Sequence, residues 1–455
     1  MARDGLRAVP PHQFSSTAWR GYAGRALTLR GQMMRARSVR GGGEVRARRG
    51  SCHAWRVAEF AWRRRRRMKT HARGELLQVL GRKSGLPEEV ARECLIRVGF
   101  DQLPVVRRIS RQWKAEVESP AYNRLRKAEG LARPALALVQ ALPDLAEAGP
   151  AHKQSSGGGG PGNSYRMVLL DPAEGRWTPL PELPGASGSL PLFCQVAAVD
   201  GGEEERKRLV VVGGWDPETW APTDSVFLYD FLTGTWRRGA GMPGPHRSFF
   251  ACAAVGGRVY VAGGHDEEKN ALRSALTYDP DADAWAELPD MAEERDEPRG
   301  LCVGGKFLVV GGYPTPAQGR FVGSSESFDP ATSTWSPVQE GLIDDGACPR
   351  TCCAAPGAGD RMYMLRNGHL VTRHGTPTSS AAWRSVAPVP EDARTAAVVS
   401  VIPDGSVVVI GSGCHGCDQT VYTLREAAGK PASWARAPAL PEFSGHVQSA
   451  CLLEI

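Results

Sequence analysis

The 455-residue sequence predicts a mainly β fold: a six-bladed β-propeller preceded by a small helical segment and a disordered basic tail. Three observations carry that expectation. One unit of about fifty residues recurs from residue 165 to the end. Glycine (53) and proline (34) are abundant, which suits a chain with many turns. Charge is unevenly shared, since residues 1–83 hold 21 Lys and Arg against 4 Asp and Glu, while the remainder holds 35 against 45. The body is therefore mildly acidic although the whole chain carries +7, and nucleic-acid binding would rest on the tail alone.

The recurring unit has a fixed grammar. A short apolar strand closes on Gly-Gly, a second strand ends in an aromatic and Asp, and a Trp opens a third. Residues 210–214 (VVVGG) lead to Tyr229, Asp230 and Trp236. Residues 259–264 (VYVAGG) lead to Tyr278, Asp279 and Trp285, and residues 308–312 (LVVGG) lead to Phe328, Asp329 and Trp335. In all three the aromatic stands seven residues before the Trp. Two degenerate copies follow, 362–365 with Trp383 and 407–413 with Trp434. From Trp236 to Trp434 is 198 residues in four steps, or 49.5 each, the length of a four-stranded blade. Glycine suits strand ends closed to side chains, and Trp is large enough to wedge between blades.

A sixth copy, residues 165–171 with Trp177, lacks an upstream Gly-Gly strand. The apolar stretch 134–142 and the C-terminal 446–453 are of suitable length to complete it. The last strand then closes the ring and leaves no exposed sheet edge to aggregate.

Ahead of the repeats, Leu86, Val90, Cys94, Leu95 and Val98 recur at helical spacing, with Pro87 and two glutamates in the first turn. A second stripe follows in Val105, Val106, Ile109, Trp113 and Val117. About 45 residues bury little core, so these helices need a partner surface. The expected boundaries are 1–80 for the tail, 84–130 for the helices and 131–455 for the propeller, with a flexible loop at 143–164. The Arg run at 63–67 reads either as a nuclear-import signal or as a solvated tail, and Met68 is an alternative start.

Catalytic constellations are not expected. The histidines are dispersed, and Cys414-His415-Gly416-Cys417 has no second pair to complete a zinc site. There is no Gly-x-Ser-x-Gly elbow and no Walker loop. Neither metal nor cofactor is predicted. Eleven scattered cysteines and no apolar leader read as free thiols in a reducing compartment. No stretch approaches the roughly 20 apolar residues of a membrane span, so no membrane partner is expected.

The Gly-Gly, Tyr and Trp spacing resembles kelch repeats, and residues 86–113 resemble an F-box. Together they are similar to the plant F-box/kelch-repeat proteins over nearly all of 84–455. That resemblance implies a substrate receptor of an SCF-type ubiquitin ligase. Leu86, Pro87, Val90, Leu95, Ile96, Val98, Val106, Ile109 and Trp113 would then meet a Skp-type adaptor, and through it a cullin-RING ligase, or hold the helices together. The propeller would bind the target protein, in the cytoplasm, the nucleus or both. Residues 124–130 and 136–142 are similar to the subgroup that targets phenylalanine ammonia-lyase and so limits phenylpropanoid synthesis. A scaffold propeller without ligase function is the alternative.

Strand parity predicts the binding face. Second-to-third-strand loops and inter-blade connections share one face, and they are the longer ones, at 215–224, 265–272, 289–298, 313–324, 338–349 and 411–419. Long loops on a rigid scaffold are where recognition usually resides. Trp215, Trp220, His265 and Tyr313 are the expected contacts. Arg247, Arg299, Arg350 and Arg394 each precede an innermost strand and would either ring the opening with positive charge or bond neighbouring carbonyls.

Overall fold

The computed structural model describes residues 88–142, 164–185, 188–201, 206–357, 360–375, 381–425 and 432–455. The basic tail with its Arg run, Leu86, Pro87 and the expected loop up to residue 163 lie outside the described residues. Contact clustering separates two compact units. Among described residues, one holds 88–98 and 105–116, and the other holds 99–104 and 117–455.

Among the described residues, strands form six four-stranded antiparallel sheets, the blades of the propeller. Listed from the inside outward, blade 1 comprises Val447–Glu454, Pro134–Ala141, Tyr165–Asp171 and Arg176–Pro179. Blade 2 has Gln195–Gly201, Arg206–Val212, Val226–Asp230 and Thr235–Arg238, and blade 3 has Ala251–Val255, Arg258–Ala262, Ala275–Asp279 and Ala284–Leu288. Blade 4 has Arg299–Val303, Lys306–Val310, Ser325–Asp329 and Thr334–Trp335. Blade 5 has Cys353–Ala354, Arg361–Arg366, His369–His374 and Arg384–Pro388, and blade 6 has Thr395–Val401, Val407–Ser412, Thr420–Arg425 and Ser433–Arg436.

Why the second strands carry unbroken apolar runs follows from where alternate side chains go. In blade 2, Leu209 and Val211 pack with Met167 and Leu169 of blade 1, while Val210 and Val212 pack with Val259 and Val261 of blade 3. A strand buried on both faces needs no polar alternation. The pattern repeats around the disc and ends where Val408 and Ile410 of blade 6 meet Leu136 and Leu138 of blade 1. Innermost strands adjoin in cyclic order, blade 6 adjoining blade 1.

Closure is by the C-terminal strand, as the sequence indicated. Val447–Glu454 pairs antiparallel with Pro134–Ala141, with a register shift between Val139 and Gln140. Two side chains reinforce this seam. The Gln140 amide donates to the carbonyls of Phe443 at 2.7 Å and Gly445 at 3.2 Å. Lys127 pairs with Glu454 at 3.0 Å.

The repeat tryptophans act across blades. The indole Nε1 of Trp236, Trp285, Trp335, Trp383 and Trp434 donates to the carbonyls of Pro181, Ala240, Pro289, Leu342 and Pro388, at 2.7–2.9 Å. Each acceptor belongs to the end of the preceding blade or the connection after it. Trp177 stacks instead on Phe443 (4.9 Å, 11°), across the closing seam. All six rings are half-buried rather than fully wedged. Trp285→Ala is accordingly expected to cost about 2–3 kcal/mol, from lost packing on Tyr278 and an unpaired Ala240 carbonyl. Denaturant titration checks this, and an unchanged midpoint would contradict the inter-blade role.

Helices α1 (Glu88–Leu95), α2 (Leu103–Val106), α3 (Arg111–Val117) and α4 (Pro120–Ala128) precede the blades. The second apolar stripe, expected as one helix, is broken at Ser110, whose hydroxyl accepts from the Trp113 N–H at 3.1 Å. Ser110 so satisfies a donor left open at a helix start. Ser119 does the same for α4 through the Tyr122 N–H, with Pro120 in the first turn. Arg92 on α1 and Glu116 on α3 form an ion pair at 2.7 Å. Among the described residues, no helix is long and apolar enough to cross a membrane.

Candidate partner-binding face

The Gly-Gly pairs build one face of the ring. Gly214, Gly264 and Gly312 have φ of 99°, 82° and 89°, and a Cβ on them would collide with the carbonyl oxygens of Leu192, Ser248 and Asp296. Without side chains, the chain passes close enough for the next residue to form an isolated antiparallel bridge: Trp215 with Leu192, His265 with Ser248, Tyr313 with Asp296. Each bridge ties a second-strand end to the segment entering an inner strand.

The side chains after the glycines then reach the next blade's entry segment. Trp215 Nε1 donates to Ser248 Oγ at 2.7 Å. His265 Nδ1 lies 2.8 Å from Asp296 Oδ1, and Lys269 Nζ lies 2.8 Å from His265 Nε2. With Lys269 donating to Nε2, the imidazole carries its proton on Nδ1 and donates it to Asp296. The Tyr313 hydroxyl donates to Glu297 Oε1 at 3.0 Å. His265 and Tyr313, expected to meet a partner, are instead 4% and 5% exposed. They are staples between blades. Trp215 is half-buried, and Trp220 is open at 40% exposure.

The expected arginine ring is also corrected. Arg247 is 1% exposed, and its guanidinium donates to the carbonyls of Gly263 (3.3 Å) and Ser274 (3.1 Å) and to Ser274 Oγ (3.0 Å). Burial pushes its pKa down to about 10. Its repeat-equivalent is Arg295 rather than Arg299. Fully buried, Arg295 donates to the carbonyls of Gly311 and Ser324 and to Ser324 Oγ. Both arginines stand sixteen residues before the glycine they bond, a spacing visible in the sequence. Arg295 additionally pairs at 3.2 Å with Glu326, itself 0% exposed.

Arg299 donates to the Cys352 carbonyl at 3.3 Å. Arg394 donates to the Val389 carbonyl at 2.7 Å, and a Cβ on Gly368 would touch its guanidinium. That places Arg394 against the tight Asn367-Gly368 turn between the second and third strands of blade 5. Arg350 is half-buried, and its charge acts on Glu297 and His446. Arg247, Arg299 and Arg394 thus follow the carbonyl-bonding alternative rather than the charged ring.

Residues entering the inner strands carry a feature absent from the sequence expectations. Phe193, Phe249 and Glu297 occupy equivalent positions in blades 2, 3 and 4 with φ of 57°, 53° and 51°. Bulky residues in left-handed backbone are strained, and such strain persists only where the surroundings impose it. Here the Phe193 N–H donates to Gln448 Oε1 at 2.8 Å, and the bridges above fix its neighbours. The two phenylalanine rings lie 5.2 Å apart, beside Trp215 at 5.8 and 6.3 Å. Lys269 Nζ lies 5.4 Å from the Trp215 ring centre. Phe193, Trp215 and Phe249 are all half-buried.

Burial, and then the neighbouring Asp296 charge, push Glu297 up to about 7 from 4.5. Its folded-state value exceeds its unfolded one, so ionisation opposes folding. The penalty is nil below the unfolded value, grows between 4.5 and about 7, and is complete above that. Glu297→Gln keeps an acceptor for Tyr313 and removes the charge. It should stabilise the protein by about 1–3 kcal/mol near pH 8 and leave it unchanged near pH 4.5. A Tm difference independent of pH would contradict this.

On the helices, Leu95, Ile96 and Val106 are buried, at 2%, 0% and 0% exposure, so these three hold structure together rather than meet an adaptor. Val90 is 43% exposed, and Val98, Ile109 and Trp113 are half-buried. Val105, not singled out from the sequence as a contact, is 45% exposed. Among the described residues, no His, Cys, Asp and Glu cluster could hold a metal.

Comparison with known proteins accords with both parts. Residues 155–366 match the model of the KLHDC2/KLHL20/DRC7 Kelch-repeats domain. The chain is 39% identical over 375 residues to F-box/kelch-repeat protein At1g80440 of Arabidopsis thaliana, covering 81% of this chain and 98% of that protein. It is 40% identical over 373 residues to F-box/kelch-repeat protein At1g15670 of the same plant, with the same coverage. Over 299 residues it is 38% identical to F-box/kelch-repeat protein SKIP20 of Arabidopsis thaliana, covering 60% of this chain and 70% of that one. The chain belongs to the plant F-box/kelch-repeat proteins, non-catalytic SCF substrate adaptors that work with a Skp-type adaptor and a cullin.

Proposed function

We propose that this adaptor takes its target protein on the face that carries Phe193, Trp215, Trp220 and Phe249. The observation behind this reading is the pair of strained phenylalanines, half-exposed beside Trp215 and Lys269 at the entries to two inner strands. Aromatic anchors beside a cation are favoured at binding hot spots. Arg350 acts electrostatically on Glu297, which holds in blade 4 the position of Phe193 and Phe249. Val90, Val105, Val98, Ile109 and Trp113 are proposed as the adaptor contacts, together with Leu86 and Pro87 of the preceding segment. The helical segment 84–130 and the propeller 131–455 then divide the labour, adaptor on one and target on the other. The proposed place of action is the cytoplasm, the nucleus or both.

For the target, phenylalanine ammonia-lyase is the candidate, resting on resemblance at 124–130 and 136–142. Residues 136–141 are not contacts themselves, because the strand Pro134–Ala141 is buried along nearly its whole length. Titration of purified phenylalanine ammonia-lyase against the full chain tests the target. The Phe193→Ala/Phe249→Ala variant tests the face, and should weaken binding by about tenfold or more while keeping the parent Tm. No binding by the parent would rule out this target, and undiminished binding by the variant would rule out this face.

A further inference from the structure

We propose that Cys414 and Cys417 form a thiol–disulfide exchange site, reversibly oxidised by a low-molecular-weight disulfide of the glutathione type. The sequence suggested free thiols throughout, yet these two cysteines are joined in a disulfide, with Cα atoms 5.4 Å apart. Residues 413–418 of their loop are all exposed.

Two arguments favour exchange over a fixed structural bond. The bridge spans only three residues, so it constrains the unfolded chain little and contributes little to stability. An exposed disulfide is also the kind that small thiols attack. Seven other described cysteines compete poorly. Cys194, Cys252, Cys352, Cys353 and Cys451 have thiols raised by burial, and burial also raises Cys302 and Cys348. A thiolate is the attacking species, so against these seven the exposed pair is favoured for oxidation. His415 stands between the two cysteines in sequence.

The chemistry balances without a further reactant. One thiolate attacks the small disulfide, forming a mixed disulfide and releasing one small thiol. The second thiolate displaces the second small thiol and closes the Cys414–Cys417 bond. Two electrons pass from the protein to the small disulfide, and the two protons leave on the two thiols.

The loop is connected to the ring's closing seam. Gln419 at its foot donates through its N–H to the Ser444 carbonyl at 2.8 Å and accepts from the Val447 N–H at 2.9 Å. Its side-chain amide also lies 3.1 Å from His446 Nδ1. The oxidation state of the loop therefore bears on the start of the closing strand. The proposal is independent of any substrate.

The test is equilibration of the purified full chain in glutathione buffers from reducing to oxidising, followed by acid quench, denaturing alkylation and peptide mass spectrometry. Cys414 and Cys417 should lose alkylation together at an intermediate ratio, while Cys194, Cys352 and Cys353 stay fully labelled. In Cys414→Ser, Cys417 should gain a glutathione adduct at oxidising ratios. Full labelling of both cysteines at every ratio would overturn the proposal. So would a bond that persists at the most reducing ratio, which would mark a fixed structural disulfide.

Discussion

Removal of residues 446–455 should abolish cooperative folding of the propeller. The deleted strand is the innermost strand of blade 1 and pairs with Pro134–Ala141, from Pro134 opposite Glu454 to Gln140 opposite Val447. Its loss strips partners from two apolar clusters at once, through Leu453 and Ile455 on one side and Val447 on the other. It also unties Phe443 and Gly445, just ahead of the cut, whose carbonyls accept from the fully buried Gln140 amide. Burying several large side chains contributes about 1.5–3 kcal/mol each, so the deficit approaches the whole stability of a typical domain. Thermal unfolding followed by circular dichroism reads the result directly. A sharp transition within a few degrees of the parent would mean that the ring does not depend on its closing strand.

The second large effect separates two arginines that look alike. Arg295→Met should cost about 3–5 kcal/mol, because it leaves Glu326 charged and fully buried without its ion-pair partner. Glu326 would retain only the N–H groups of Ala292 and Glu293. Arg247 has no such carboxylate, since Leu276 stands where blade 4 has Glu326. Arg247→Met should therefore cost less, about 1–2 kcal/mol for the carbonyls it abandons. The double variant Arg295→Met/Glu326→Leu should recover most of the loss, as buried ion pairs replaced whole by apolar groups often do. Equal losses at Arg247 and Arg295, or no recovery in the double variant, would contradict the assignment. Urea titration of the four proteins decides it.

How much of this was legible in the sequence depends on the interaction. The repeat grammar was legible because glycine, aromatic and tryptophan recur at constant spacing wherever a blade must pack on a blade. Closure by the last strand was legible because an unmatched half-blade at each end has only one partner to find. The arginines were misaligned for a physical reason. They were registered on the start of each inner strand, whereas Arg247 and Arg295 are fixed by a carbonyl of the following Gly-Gly turn, sixteen residues on.

His265 and Tyr313 were taken for contacts because polar and aromatic residues in long loops suggest recognition. Their partners, Asp296 and Glu297, lie at the entry to the next blade, and no pattern in one chain links them. Phe193 and Phe249 escaped notice because left-handed backbone has no residue signature when the residue is not glycine. On the helices, periodicity found the apolar stripes but could not separate buried Ile96 from exposed Val90. A short helix with a partner has two apolar sides.

On the proposed reading, the helices recruit a ligase adaptor and the blades form a closed ring. Calorimetric titration of a purified Skp-type adaptor into the full chain, and into Val90→Asp/Val105→Asp, tests that most directly. The account predicts saturable binding by the parent and loss of binding in the variant, with an unchanged propeller melting transition. A parent chain that binds no adaptor, or a variant that binds as tightly as the parent, would contradict it.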